Sequence, residues 1–149
     1  MSKSVKYRLN KASEAEIAEH LLSCDADFVP PLSGRVEIAD YAKKIASKAA
    51  RFEAWSDDRL VGLVAVYCND PEKRIAYITS VSVLRESMGK GIGESMMRQC
   101  IARVKALGMH QVSLEVASGN MPAIGLYEKS GFVAGRTKDP FVTMDLYLK

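Results

Sequence analysis

A mixed α/β (α+β) fold, with a central sheet of six to seven strands flanked by about four helices, is what the sequence predicts. Three observations carry it. Ile75, Tyr77, Thr79, Val81 and Val83 alternate along residues 75–84, which is the period of a strand. Ile92, Met96, Met97, Cys100, Ile101, Val104 and Leu107 fall at the spacing of one helical face. Along the chain a pair of strands follows two helices, strand and helix then alternate twice, and two strands close the order. That order places helices on both faces of one mixed sheet.

Val5 to Leu9 reads as the first strand. Ser13 opens a helix with Glu16 three residues on, a capping box, and Ile17, Leu21, Leu22 and Cys24 supply its apolar stripe. Phe28-Val29-Pro30-Pro31-Leu32-Ser33-Gly34 then breaks the helix. Ser33 is expected to cap a second helix, with Glu37 near its start and Val36, Ile38, Tyr41, Ala42, Ile45 and Ala49 inward. Arg51 to Trp55 and Leu60 to Cys68 form a hairpin across Asp57-Asp58, and Asn69-Asp70-Pro71 is a second turn. After the strand over 75–84, the helix from Ile92 ends at Gly108. Val112 to Val116 is a short strand, Met121 to Lys129 a helix stopped at Gly131, and strands follow around Phe132 to Arg136 and Val142 to Leu148.

The bulk properties narrow the function classes. The 149 residues, 48% hydrophobic and 26% charged, suit one globular domain. A net charge of +3 with no lysine or arginine run argues against a nucleic-acid partner. No apolar run approaches the ~20 residues of a membrane span, and Met1 to Lys6 lacks the apolar core of a signal peptide. Cys24, Cys68 and Cys100 are odd in number and widely spaced, which points to buried thiols in a reducing cytoplasm. No His, Cys or Asp spacing implies a metal.

The chemistry-bearing stretch is Met88-Gly89-Lys90-Gly91-Ile92-Gly93, between a strand and a helix. A glycine-rich turn feeding a helix leaves several N–H groups aimed at one spot, with the positive end of the helix dipole behind them. That is an anion site suited to a phosphate or pyrophosphate. It is not a Walker loop, because Gly91 rather than Ser or Thr follows Lys90. A dinucleotide fingerprint would need a third glycine where Glu94 or Met96 stands.

What remains, x-x-Gly-x-Gly opening a helix after a strand, resembles the acyl-CoA pyrophosphate loop of the GNAT superfamily of N-acetyltransferases, Arg/Gln-x-x-Gly-x-Gly/Ala. Met88 departs from the Arg or Gln of that pattern. Asn120-Met121-Pro122-Ala123-Ile124-Gly125-Leu126-Tyr127, followed by Gly131-Phe132, resembles the family's second signature, Asn-x-x-Ala-x-x-x-Tyr then Gly-Phe. The resemblance covers residues 74–133. It implies a single GNAT-like domain over 1–149, with a central mixed, mostly antiparallel sheet. It also implies acetyl transfer from acetyl-CoA directly to a primary amine.

The resemblance assigns the parts. Backbone N–H groups of Met88, Gly89, Lys90, Gly91, Ile92 and Gly93 hold the pyrophosphate, and Val81, Ser82 and Val83 pair with the pantetheine arm. The Val83 N–H faces the thioester oxygen. Asn120 caps its helix and adjoins the cofactor, Ala123 lets pantetheine pass, and Tyr127 protonates the leaving thiolate. Glu115, placed as in the ribosomal-protein acetyltransferase branch, is the base, with Glu53, Tyr77, Ser80 or a water chain as fallbacks. A solvated strand carboxylate is an equally simple reading of Glu115, and a core tyrosine of Tyr127. His20 and His110 fall outside the motifs and read as surface or packing residues.

For the acceptor, Phe28 to Leu32 offers an apolar wall, and Asp25, Asp27 and Glu53 offer charge for a cationic amine. An amino sugar and a peptide or protein N-terminus are the two candidates, and a homodimer is left open. A non-catalytic acyl-CoA-binding or sensing domain is the rival reading, motivated by Met88. A nucleotide-binding module using the same loop is a third.

Overall fold

The computed structural model describes residues 4–148. Seven strands form one sheet, β1 (Lys6–Leu9), β2 (Ala50–Ser56), β3 (Arg59–Tyr67), β4 (Ile75–Val83), β5 (Gln111–Ala117), β6 (Val133–Lys138) and β7 (Phe141–Tyr147). Their spatial order is β1-β2-β3-β4-β5-β7-β6. Only β4 and β5 run parallel, and every other neighbouring pair is antiparallel. The four α-helices are α1 (Glu14–Cys24), α2 (Ile38–Lys48), α3 (Ile92–Ala106) and α4 (Met121–Lys129). Fold class and element order agree with the sequence.

Two hydrophobic cores sandwich the sheet. Ile17 and Leu21 of α1 and Ile38, Ala42 and Ile45 of α2 bury against Leu63 and Ala65 of β3. On the other face Ile92, Met96, Met97, Cys100 and Val104 of α3 and Tyr127 of α4 pack on Phe52, Val64, Ile78, Leu114 and Met144. Each helix thus buries one stripe, as a helix against a sheet must.

Three expectations are corrected. Leu22 is 62% exposed, and His20 takes its place on the buried stripe Ile17, His20, Leu21 and Cys24. Positions i, i+3, i+4 and i+7 fix one face, and Leu22 lies about 100° off it. Second, Ser33 does not cap α2. It lies in a 3-10 turn, Leu32–Gly34, and its N–H and hydroxyl both donate to Asp25, each at 2.7 Å. Glu37 caps α2 instead, so Val36 stays outside the helix.

The third correction concerns β4. Ser80 pairs with Ala65 and Ile78 with Val66, so Thr79 has no partner on β3 and forms a bulge. The Tyr41 hydroxyl of α2 pins it, donating to the Thr79 carbonyl at 2.6 Å. Alternation therefore breaks at Thr79. Ile78 joins the α3 core and Val81 and Val83 pack against it, although Ile78 and Val81 have opposite parity. Ser82 turns to the other face, toward α1.

Candidate functional site

The seam between β4 and β5 is open for most of its length. The strands pair only at Ile75–Gln111, Ala76–Val112 and Tyr77–Ser113. Beyond these, the bulge raises the local twist of β4, and β5 stays paired with β7 over all seven residues from Gln111 to Ala117. Leu84 N–H donates to the Val61 carbonyl at 2.8 Å, which makes Gly62–Val83 a non-hydrogen-bonded pair. Val81 and Val83 therefore turn their backbone N–H and C=O groups away from β3, into the open seam. This is an unpaired strand edge inside a sheet.

A cleft of about 240 Å³ lies there. Val81, Ser82 and Val83 form one wall, and Asn120, Ala123, Leu126 and Tyr127 of α4 another. Met88 and Gly93 reach it from the loop, and Cys24, Asp27 and Phe28 from the end of α1 and the turn after it. The sequence motifs, 27 or more residues apart, thus meet across one space.

The loop leaves a run of backbone donors free at the start of α3. After a 3-10 turn over Arg85–Ser87 comes half-exposed Met88, then Gly89 and Gly91 with φ of 80° and 75°. A side chain at Gly91 would be strained in that left-handed conformation, which carries the chain into α3. The first helical bond runs from Ser95 N–H to the Gly91 carbonyl at 3.0 Å. The Met88 N–H, expected among the pyrophosphate donors, is instead spent on the Arg85 carbonyl at 3.2 Å, whereas among the described residues the N–H groups of Gly89, Lys90, Gly91, Ile92 and Gly93 have no protein acceptor. The side chain of Ile92 is buried in the α3 core, so only its backbone can face a ligand, while Lys90 is exposed.

On α4, the Asn120 side chain accepts the Ala123 N–H at 3.4 Å and caps the helix. Tyr127, 7% exposed, packs on Phe132 with ring centroids 6.0 Å apart. Burial pushes its phenol up to about 12, so it holds its proton across the neutral range.

Glu115 does not line the cleft. It is exposed on β5, on the sheet face opposite Leu114 and Val116, where Tyr77 stands beside it. Burial first, and then the Glu115 charge, raise the Tyr77 phenol. Glu53 is elsewhere and fully committed. It is 1% exposed and accepts the N–H groups of Lys11, Ala12 and Trp55 at 3.0–3.1 Å, besides lying 3.4 Å from Arg51. It anchors the start of α1 and is no base or amine receptor in this fold. Asp25 is held by Ser33, which keeps its carboxyl below the usual range. Asp27 does reach the cleft, paired with Arg85. The Ser80 hydroxyl is buried with no partner among the described residues.

Two cleft features escaped the sequence reading. Cys24 lines the cleft, with its thiol pushed up to about 11 by burial and then by Asp27, so it is no thiolate near neutral pH. His20 sits behind Ser82, its Nε2 2.8 Å from the hydroxyl. The i, i+4 spacing of His20 and Cys24 beside Ile17 and Leu21 was the signal available for both.

The sequence profile of the acetyltransferase (GNAT) family matches residues 15–132. The chain belongs to that family. One similar protein is the mycothiol acetyltransferase of Corynebacterium glutamicum (strain ATCC 13032), 31% identical over 83 residues. That match covers 56% of this chain and 28% of the relative, so the GNAT chain spans less than a third of that protein. Among solved structures, the ribosomal-protein-S18-alanine N-acetyltransferase of Escherichia coli superposes with a TM-score of 0.77 at 16% identity, covering 98% of this chain and 95% of that one. A Bacillus subtilis acetyltransferase in complex with CoA gives 0.74 at 18% identity, covering 98% and 100%. These similarities extend the shared fold over nearly the whole GNAT chain. Among the described residues no helix is long and apolar enough to cross a membrane, and no three His, Cys, Asp or Glu gather as a metal site.

Proposed function

We propose that the chain transfers an acetyl group from acetyl-CoA directly to a primary amine. The observation that carries this is the open β4–β5 seam, which joins an unpaired strand edge to a loop of free N–H groups. Pyrophosphate fits the loop, where the five N–H groups from Gly89 to Gly93 lack protein acceptors among the described residues and lie at the positive end of the dipole of 15-residue α3. Pantetheine, which carries amide groups, fits the free edge of Val81 and Val83 as one more strand would. The Val83 N–H then serves as donor to the thioester oxygen as negative charge develops there.

Tyr127 is the proposed acid. A group that stays protonated at neutral pH suits delivery of a proton to a departing thiolate. Glu115 is the proposed base, acting from the opposite sheet face beside Tyr77, through water where the amine is not in direct reach. Acid and base on opposite faces of one seam fit a reaction in which cofactor and amine approach from opposite sides. Asn120 and Ala123 take the cofactor-side positions on α4. The acceptor class is a small molecule, such as an amino sugar, or a peptide N-terminus. The E. coli neighbour named for the S18 alanine is one support for the latter.

Met88 favours a second reading, an acyl-CoA-binding domain without catalysis, because it removes the polar side-chain contact that Arg or Gln makes at that position in the family, leaving Lys90 as the cation within the loop. One experiment separates them. CoA release from acetyl-CoA is followed with glucosamine, 2-phenylethylamine and an alanyl peptide, beside thermal shifts with acetyl-CoA, CoA, ATP and NAD. Release with at least one amine supports the enzyme. A shift with acetyl-CoA and no release supports the binding domain, and a shift with ATP alone overturns both.

A further inference from the structure

Ser82 and His20 form a buried pair that the roles above leave unused. Past the bulge, the Ser82 side chain faces α1, where His20 is 3% exposed. His20 Nδ1 lies 3.0 Å from the Leu60 carbonyl oxygen, which can only accept. Nδ1 therefore carries the ring proton, and in the neutral ring Nε2 is an acceptor. Two donors approach Nε2, the Ser82 hydroxyl at 2.8 Å and the Cys24 thiol at 3.8 Å. The hydroxyl is both nearer and the stronger donor, so it gives its proton to His20. Burial outweighs the Leu60 and Ser82 backbone oxygens and, with Arg59 nearby, lowers the ring's pKa to about 4, so it stays neutral. What Ser82 presents to the cleft is then a lone pair.

An oxygen of fixed polarity discriminates between ligands. A thioester carbonyl and a departing thiolate both need donors, whereas an amine brings N–H groups. We propose that Ser82 Oγ receives an N–H of the acceptor amine, and that His20 is the positioning residue that keeps the hydroxyl turned. The inference rests on the N-acetyltransferase reading above. Two cleft neighbours extend it. Asp27 adds a carboxylate, drawn to one side by Arg85, and Phe28 adds an apolar ring. Acceptor oxygens beside an apolar wall fit a primary amine next to an apolar or aromatic substituent, and so favour 2-phenylethylamine over glucosamine.

The test uses the full chain and whichever of the three amines above has the highest kcat/KM. Ser82→Ala should raise the KM for that amine about tenfold, the scale of one hydrogen bond to a charged or polarised group. The KM for acetyl-CoA should stay within about twofold. Ser82→Thr, which keeps the hydroxyl, should restore most of the loss. His20→Leu should mimic Ser82→Ala, and the double variant should be no worse than either, because His20 acts only through Ser82. If His20→Leu does not fold, the Ala and Thr variants of Ser82 decide alone. An unchanged amine KM in Ser82→Ala, or a rise in acetyl-CoA KM instead, overturns the assignment. An additive double variant overturns the positioning role of His20. No release by the unaltered protein with any amine removes the parent reading and this one together, a result distinct from the other two.

Discussion

Acidification should destabilise the protein through His20 by an amount that can be worked from its surroundings. Its pKa falls from 6.5 to about 4, chiefly because burial penalises the imidazolium, with Arg59 adding repulsion. The fold therefore prefers the neutral ring, and the unfolded chain binds the extra proton first. Stability from this source is fully present above about 6.5 and is lost as pH falls through 4. The gap of about 2.5 pH units, at about 1.4 kcal/mol each, gives a total of about 3 kcal/mol. About 2 kcal/mol of that is gone by about pH 5. Against a typical total of about 5–15 kcal/mol the loss is large. Carboxylates titrate in the same range, so the measurement is a difference. Urea unfolding of the unaltered protein and of His20→Gln, at about pH 7 and about pH 5, isolates the ring. The variant should start lower, because it disturbs the bonds to Leu60 and Ser82. It should then lose about 2 kcal/mol less on acidification. Equal losses in the two proteins would refute the claim that the fold buries a neutral imidazole there.

The remaining expectations concern the cleft. Tyr127→Phe should lower kcat about 100-fold, the usual scale for a general acid, while acetyl-CoA binding by calorimetry stays within about threefold. Glu115→Gln should flatten the acidic limb of the kcat/KM profile, and an unaltered profile would dismiss it as the base. Gly91→Ala meets open space but keeps a left-handed φ of 75°, so it should cost about 1 kcal/mol, or about 2–4 °C in Tm, and weaken acetyl-CoA binding. Met88→Arg should tighten acetyl-CoA binding about three- to tenfold at low salt, with the gain shrinking as salt rises.

Periodicity made the elements legible because burial on two faces of a sheet imposes periods of two and 3.6. All seven strands and three of the four helices stand close to where alternation and caps put them, while α2 starts at Ile38, four residues past the start that a Ser33 cap implied. The loop was legible for a local reason, since glycines before a helix leave N–H groups free wherever they occur. Parity along β4 was not legible. The bulge at Thr79 takes its side-chain hydrogen bond from Tyr41, 38 residues away, and nothing local to 75–84 announces it. Ser82, which alternation already set opposite Val81 and Val83, was read only as a backbone contributor because its partner His20 lies 62 residues away, and His20 itself was read as a surface or packing residue. Glu53 misled for the opposite reason. A strand carboxylate near an acceptor region looks available until the tertiary structure shows three N–H donors already upon it. Local chemistry is readable from spacing, whereas commitments made across the sheet are not.

A crystal structure of the chain with acetyl-CoA tests the central claim most directly. The account predicts diphosphate oxygens within hydrogen-bond distance of the N–H groups from Gly89 to Gly93, and the pantetheine arm lying in the seam against Val81 and Val83. Acetyl-CoA bound elsewhere, with that loop and seam vacant, would contradict it.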